Sequence, residues 1–198
     1  MEFETLVYKR KMVRSFLEKE ISDKDLEEVI RIALRGPSAG FSQGVEFVVA
    51  RSRPAREQFW SCVTTPGWLE GSKSHCGMNK AQAVVLVLVS KEKYIARYQA
   101  PDKAYSAWGL EESWPAPYWY IDAGAAVMLA LLEATNLGLG ALFFAVDRGW
   151  EELRTFFGIS EELLFVGAIA LGVPNGSDRF GSAKALTRRT FEDSIKIF

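Results

Sequence analysis

The run AVVLVLV at residues 83–89 decides the fold class of this chain. Its seven consecutive apolar residues, four of them valine, show no alternation of apolar and polar positions, so the strand they predict is buried on both faces. A strand of that kind lies inside a sheet that has a layer of structure on each side. The rest of the chain therefore has to supply the neighbouring strands and the two covering layers.

Further segments with the composition of strands lie on both sides of this run. They are rich in β-branched, aromatic and small apolar residues, which fit a pleated, half-buried surface. The predicted strands are residues 45–50, 141–146 and 165–172, and residues 194–198 predict a final one.

Four helices are predicted around the strands, over residues 22–35, 54–63, 120–137 and 150–157. Ser22 can cap the first helix, whose apolar positions recur at helical spacing. The third helix is apolar nearly all round, which places it either at the centre of its domain or at a subunit interface. It stops at Gly138-Leu139-Gly140. This order of elements predicts α+β or α/β layering around one sheet.

The composition fits one ordinary globular domain. The chain has 198 residues, of which 48% are hydrophobic and 25% are charged. With 24 Lys plus Arg against 25 Asp plus Glu, the formal net charge is -1, which argues against a nucleic-acid partner. The longest apolar run is far shorter than the roughly 20 residues that a bilayer span needs. No secretory signal is visible, so we expect a cytoplasmic protein without membrane contact.

Several common chemistries lack the residues they need. The chain has one histidine, His75, and two cysteines, Cys62 and Cys76, whose separation suits neither a CxxC motif nor a zinc knuckle, so we expect no metal site. No GxSxG motif accompanies the histidine, which argues against a hydrolase. The GxxxxGK[ST] motif is missing too, and the Gly138-Leu139-Gly140 stretch precedes a strand instead of opening a dinucleotide site.

Basic residues cluster at both ends of the chain. Arg10 and Lys11 belong to one cluster, and Arg188 and Arg189 to the other. Arginine forks match phosphate oxygens, so these two ends predict a phosphate site if they meet. Between the first helix and the first strand lies a loop of small and polar residues, 37–44.

Aromatic residues make up 13% of the chain and crowd into residues 91–120, where three prolines interrupt them. Such rings in a polar segment are not expected to enter one core all together, with none left outside it, so we interpret the segment as a lid over a ligand or a surface for a partner. The alternative is that the rings pack a dimer. The aromatic residues are Tyr94, Tyr98, Tyr105, Trp108, Trp114, Tyr118, Trp119 and Tyr120.

Taken in order, these features resemble the flavin-dependent nitroreductase family. The resemblance covers almost the whole chain, apart from the aromatic-rich part near 60–120. It rests on RKMVRSF at 10–16, the capped first helix, PSAGFSQ at 37–43, the strand at 45–50, DAGAAVMLALLEATNLGLG at 122–140, FVGAIALG at 165–172 and the terminal arginine pair.

The resemblance implies an α+β fold, a three-layer α/β/α sandwich around a mainly antiparallel sheet. It implies a single domain over 1–198 with an aromatic-rich lid or insertion at about 91–120, and a homodimer with one FMN at each of two sites built from both chains. The implied activity is reduction of an electron-poor small molecule, such as a nitroaromatic or a quinone, with NAD(P)H as transient donor. The alternatives are a flavin-binding storage protein and a flavin-destroying enzyme of the benzimidazole synthase branch.

The resemblance also assigns residues, and no protein acid or base is among them. At the FMN phosphate and ribityl chain it places Arg10, Lys11, Met12, Arg14, Arg188 and Arg189. At the flavin ring it places Pro37, Ser38, Ala39 and Gln43 from the loop, and Phe144, Ala145 and Val146 from a strand end. Candidate substrate and lid residues are Phe41, Trp108, Trp114, Tyr118 and Trp119. Backbone N–H groups at the strand end suit the flavin, because they stabilise electron density whatever side chains they carry.

Two positions depart from the family pattern. The family often has serine where this chain has Met12, so that contact with the phosphate must come from another group. Phe41 replaces the usual asparagine of the loop, as in the benzimidazole synthase branch. That branch uses an acidic residue at the position of Met12, and the methionine there argues against flavin destruction.

Overall fold

One antiparallel sheet organises the structure, a computed structural model that describes residues 1–72, 77–103, 105–178 and 186–198. His75 and Cys76 lie outside these ranges. The described strands are β1 (Val45–Ala50), β2 (Ala83–Ser90), β3 (Gly140–Phe144) and β4 (Leu163–Gly172). Their order is β1-β2-β4-β3, and each neighbouring pair is antiparallel. Every residue of β2 is buried, which confirms the inner strand predicted from the apolar run.

The described helices are α1 (Phe3–Lys9), α2 (Asp23–Ala33), α3 (Arg53–Val63), α4 (Trp68–Gly71), α5 (Lys91–Tyr98), α6 (Tyr118–Asn136) and α7 (Trp150–Phe157). Short 3-10 turns lie at Ala39–Phe41, Met78–Lys80, Pro101–Lys103, Ala107–Gly109 and Glu111–Ser113. Within the described ranges, no helix is long and apolar enough to cross a membrane.

The sheet has one hydrophobic core on each face. Val85 and Val87 of β2 pack with α2 and α6 on one side. Val84 and Leu86 pack with α3 and α7 on the other side. Successive side chains of a strand point to opposite faces, so a strand that is apolar throughout serves both cores. The result is the expected α+β fold with three layers, α/β/α.

Local signals set the helix boundaries. The Ser22 hydroxyl accepts a hydrogen bond from the Asp25 N–H at 3.0 Å, and α2 starts directly after this cap, as predicted. Ser52 caps α3 in the same way, so that helix begins one residue before Pro54. α6 ends where Gly138 takes a left-handed φ of 76°, which lets the chain leave the helix without strain on a side chain.

Two strand predictions need correction. Residues 194–198 form no strand in the described chain, since they are exposed and pair with none of the four described strands. Hydrogen bonds between Thr190 and Asp193 close a turn just before them instead. β3 stops at Phe144, two residues earlier than predicted. Phe144 pairs with Ala168, and just beyond that residue the pairing of β4 with β2 shifts in register.

The aromatic segment enters the core more deeply than predicted. Tyr94 of α5 is fully buried, and Trp114 and Trp119 are 8% and 6% exposed. The rings of Tyr94 and Trp119 each lie about 6 Å from the Trp114 ring. Three of the eight rings therefore enter the core, whereas Tyr105 and Tyr120 are exposed, so the rings do not all enter it, as predicted. The prolines bound short turns that fold the segment back against α6, so the rings pack on one another.

Candidate functional site

The N-terminal basic segment runs beside β3. Met12 pairs with Ala141 in a parallel bridge, and the Val13 N–H donates to the Ala141 carbonyl at 2.9 Å. Arg10 lies just before this bridge and is half-buried. Its Nη1 atom is buried and has no hydrogen-bond partner among the described residues. A buried guanidinium nitrogen without a partner is a charged donor that an anion could satisfy, and a phosphate group is an anion of this kind.

Asp178 fixes the end of this segment. Its Oδ1 accepts hydrogen bonds from the main-chain N–H groups of Arg14 and Ser15 at 2.7 and 3.0 Å. The Arg14 guanidinium donates to the Met12 carbonyl at 3.5 Å. Arg14 is therefore engaged within the segment itself, and the side chain of Met12 packs against both cores of the sheet.

A cavity of about 480 Å³ opens beside Lys11, at the C-terminal end of α6. Lys9, which the sequence analysis left out of the site, lines the same cavity. Two ammonium groups in one cavity attract an anionic ligand. Its other lining residues are Val13, Thr135, Gly138, Leu139, Pro174, Asn175 and Gly176.

The loop at 37–44 is strained and held by its own hydrogen bonds. Phe41 and Gln43 have left-handed φ angles of 59° and 53°, which residues other than glycine rarely adopt. The Gln43 N–H donates to the Ser38 hydroxyl at 2.8 Å, and the Ser42 hydroxyl donates to the Ala39 carbonyl at 2.6 Å. The Phe41 ring is 74% exposed, and Pro37 is exposed as well. The loop therefore presents an aromatic side chain outward on a fixed backbone.

Three residues that the sequence analysis missed brace this loop. Asp122 of α6 is buried, and its Oδ2 accepts hydrogen bonds from the Ala39 N–H and the Tyr94 hydroxyl, both at 2.8 Å. Arg97 of α5 donates from Nε to the Gly40 carbonyl at 2.9 Å. Burial raises the pKa of the Tyr94 hydroxyl above its ordinary value, and the hydrogen bond to Asp122 raises it further. Asp122 could have been found from the sequence, because it is a lone charged residue in an otherwise apolar stretch of α6.

The end of β3 borders a second cavity, of about 380 Å³. The Phe144 ring stacks on Trp60 with centroids 5.7 Å apart, so that its side chain belongs to the core. Ala145 and Val146 follow the last sheet pair and line the cavity with Trp68. The side chains of Ala145 and Val146 offer no polar group, so these two residues can contribute hydrogen bonds only from their main chain; Thr64, Thr65, Asp147 and Arg148 also line the cavity.

The remaining predicted site residues are the terminal arginine pair and four aromatic residues. Arg188 and Arg189 are exposed, and among the described residues neither is bonded to Arg10 or Lys11; the Arg189 guanidinium donates to the Asp193 carbonyl instead. Trp108 and Tyr118 are half-buried, with their rings stacked 5.9 Å apart.

Trp114 and Trp119 cannot serve as open stacking faces. Both are buried in the core of the chain, and the Trp114 indole N–H donates to the Trp108 carbonyl at 2.8 Å. The prediction that these two rings lie over a substrate is therefore wrong. Core packing against Tyr94 accounts for their burial.

The loop and the basic segment lie at opposite ends of α6. Asp122 ties the loop to the first turns of the helix, and Thr135 lines the basic cavity at its last turn. These residues are separated by about 20 Å along the axis, at 1.5 Å per residue. One chain by itself therefore leaves the loop and the basic segment as two separate surfaces.

Comparison with known proteins gives a consistent match. A model of the nitroreductase family matches residues 7–173, which include the basic segment, the loop and all four strands. An NADH dehydrogenase of Thermus thermophilus is 26% identical over 185 residues, covering 88% of this chain and 87% of that protein. A protein of Archaeoglobus fulgidus, named as a candidate NADH dehydrogenase/NAD(P)H nitroreductase, is 25% identical over 181 residues, covering 90% and 88%.

Solved structures share the whole fold. A nitroreductase-like protein of Streptococcus mutans superposes with a TM-score of 0.75 at 14% identity, covering 99% of this chain and 98% of its own. A nitroreductase family protein of Clostridium difficile gives a TM-score of 0.73 at 17% identity, with the same coverage of both chains. At these identities the likeness concerns the fold alone.

Proposed function

Because the chain belongs to the nitroreductase family, a family of oxidoreductases, we propose that it is an FMN-dependent enzyme that uses NAD(P)H to reduce an electron-poor small molecule. Arg10 carries this proposal. Its buried Nη1 has no partner among the described residues, on a segment anchored to β3 beside a cavity with two lysines. A phosphate group bound to this segment would satisfy the Arg10 donor, which is not among the residues that line the cavity, and would balance the basic charge.

The residues present fit FMN. Arg10 and Lys11, joined by Lys9, would hold the phosphate, while Met12 offers only main-chain groups and packing. Arg188 and Arg189 would add to this site only after the exposed terminal stretch folds over it. The main-chain N–H groups at Phe144, Ala145 and Val146 would face the flavin ring. When bound, FMN supplies the hydride chemistry that no side chain of this protein offers.

The loop would reach the flavin of a second chain. Pro37, Ser38, Ala39 and Gln43 lie far from the basic segment of their own chain, so a shared site needs a symmetric dimer in which the loop of one protomer meets the basic segment of its partner. An exposed apolar surface on α1 and α6 fits such a contact, and it includes Phe3, Tyr8, Ile121 and Met128. A sedimentation measurement should give twice the 22.1 kDa mass of one chain.

Exposed rings near the loop suit a flat acceptor such as a nitroaromatic or a quinone. Phe41 presents its ring to solvent. The half-buried Trp108 stacks on Tyr118, and its ring lies 5.4 Å from the Tyr98 ring, on which the loop packs at Gly40. Aromatic faces bind planar, electron-poor compounds by offset stacking and exclude water from the site. The protein groups then orient the acceptor and need not transfer a proton themselves.

The visible absorption spectrum of freshly purified protein tests this function. We expect a yellow protein that releases FMN on heating, oxidises NAD(P)H and passes the electrons to 1,4-benzoquinone. A colourless protein that also fails to take up added FMN would contradict the proposal. Full flavin occupancy without turnover of either nucleotide would instead favour storage of the cofactor.

A further inference from the structure

Asp122 is a buried carboxylate in the middle of an apolar helix. It is 5% exposed and is the one charged residue in residues 118–132. Removing a carboxylate from water is costly, and a well-packed apolar residue of similar size usually serves a core better. α6 does not need this carboxylate either, because the hydrogen bonds of Asp122 go to groups in other elements. Its partners are the Ala39 N–H and the Tyr94 hydroxyl.

Both partners of Asp122 belong to the support of one strained turn. Gly40, Phe41 and Gln43 have φ angles of 62°, 59° and 53°, so that three residues within four are left-handed. Such a backbone persists only where its surroundings over-determine it, and it is concentrated at ligand-binding sites. The Ala39 N–H that Asp122 fixes is at the start of this turn.

α5 braces the same turn from the other side. Arg97 donates to the Gly40 carbonyl and is itself held by Asp102, to which Nη1 and Nη2 donate at 2.8 and 2.6 Å. The turn also packs closely on α5, because a Cβ on Gly40 would lie 2.6 Å from the Tyr98 ring. A Cβ on Gly44 would lie 2.3 Å from the Tyr94 ring. The backbone is therefore fixed by charge, hydrogen bonds and contact together.

We propose that Asp122 is a positioning residue for the flavin site, which, through Ala39 and Tyr94, sets the turn that one protomer presents to the FMN of its partner. This inference rests on the proposed function. It explains why a charge is buried at a position where packing alone would favour leucine. Asp122 touches no reacting atom; it acts through the backbone that carries Ser38, Ala39 and Phe41.

Three substitutions separate positioning from folding. Tyr94→Phe removes one hydroxyl from the clamp formed by Asp122, Tyr94 and the Ala39 N–H. Asp122→Leu removes the carboxylate and keeps the same number of side-chain heavy atoms, while Asp122→Asn keeps an oxygen acceptor and should rescue in part. The matched controls are Tyr105→Phe, an exposed hydroxyl, and Glu133→Gln, a carboxylate farther along α6. If Asp122→Leu fails to fold, Tyr94→Phe decides the question.

Hydrogen exchange and FMN binding are measured on each variant. In Tyr94→Phe we expect faster exchange of the Ala39 amide in the FMN-free protein and an FMN dissociation constant raised about fivefold. This is less than the roughly tenfold or more that a whole hydrogen bond to a charged group contributes, because Asp122 still accepts the Ala39 N–H. With FMN saturating and 1,4-benzoquinone as acceptor, KM should rise more than kcat falls, because the turn contacts bound groups and carries no reacting one. Both controls should match the unsubstituted protein.

Three other results would overturn the inference. Faster exchange with unchanged FMN affinity and KM would make the clamp merely structural. Unchanged exchange in both Tyr94→Phe and Asp122→Leu would mean that the clamp does not hold the turn. Failure of the unsubstituted protein to take up FMN would contradict the proposed function itself, and it would be seen before any variant is made.

Discussion

Arg10 and Asp122 are two charged side chains with buried atoms, and they differ in whether those atoms have hydrogen-bond partners. Asp122 has its charge satisfied by an amide and a hydroxyl, whereas one guanidinium nitrogen of Arg10 has no partner among the described residues. A satisfied buried charge indicates a structural or positioning task, and an unsatisfied one indicates a missing ligand. The two residues thus mark the two halves of the proposed site.

The first prediction concerns Arg10. Arg10→Gln should weaken FMN binding about tenfold or more, since a hydrogen bond to a charged group contributes about 1.5 to 3 kcal/mol. Quenching of flavin fluorescence on titration gives the dissociation constant. Arg35→Gln, an exposed arginine after α2, serves as the control and should leave binding unchanged. Equal affinity of Arg10→Gln and the unsubstituted protein would remove Arg10 from the site.

The second prediction concerns the protonation of Tyr94. Burial raises the pKa of its hydroxyl in the folded chain, whereas an unfolded tyrosine loses its proton near pH 10. Above about pH 10 the folded state therefore binds more protons, and the free energy of unfolding falls by up to about 1.4 kcal/mol per pH unit. Tyr94→Phe should remove this part of the alkaline decline, as measured by urea unfolding at about pH 9 and pH 11.

Tyr105→Phe is the comparison for this measurement, because Tyr105 is exposed. It should show the same alkaline decline as the unsubstituted protein. An identical decline in Tyr94→Phe would mean that Tyr94 titrates alike in the folded and unfolded chains.

At the scale of elements, α6 connects the two halves of the proposed site. Its first turns hold Asp122 against the loop, and its C-terminal end borders the cavity that Lys9 and Lys11 line. Where the helix stops therefore decides where the basic cavity lies. Gly138, which lines that cavity, is the residue at which the chain turns.

The third prediction concerns this helix end. Gly138→Ala should lower the free energy of unfolding by about 1 to 2 kcal/mol, because a side chain is unfavourable at a left-handed φ. Steric crowding is no part of this effect, since an added Cβ meets no atom within 4 Å. Gly71→Ala in α4 has equally open space without a positive φ and should cost far less. Equal urea midpoints for the two variants would contradict the conformational explanation.

At the scale of the whole molecule, the loop and the basic segment face different regions of the surface. Each chain would thus contribute the loop to one site of a dimer and the basic segment to the other. When a chain with a defective basic segment pairs with a chain with a defective loop, both defects therefore fall in the same site and the other site is intact.

The fourth prediction follows from that arrangement. Arg10→Gln damages the phosphate half, and Pro37→Glu places a carboxylate on the loop half. In a mixed dimer one site receives both defects and the other receives none, so mixing the two weak variants after unfolding and refolding should restore NAD(P)H oxidation. Mixing Arg10→Gln with Lys11→Gln, two defects in the same half, should restore nothing. Equal activity of both mixtures would exclude a site shared between chains.

The sequence by itself determined the layers and, to within two residues, most boundaries of the elements that it predicted, whereas α1, α4 and α5 were not predicted. The apolar run of β2, the Ser22 cap and the glycines after α6 are local signals, each acting through its own few residues. The ordered motifs also pointed to the family, since they follow one another along the chain in the family's order. Burial of a continuous apolar strand requires cover on both faces, so the sandwich follows from one stretch.

Only the tertiary structure decided how the site is supported. Ala39 and Asp122 are 83 residues apart, and Gly40 and Arg97 are 57 apart, so no local pattern couples them. The same holds for Trp114 and Trp119, whose burial depends on how α5 and the turns after it fold back against α6. Contacts between distant residues are set by packing, and packing is complete only when the whole chain has folded.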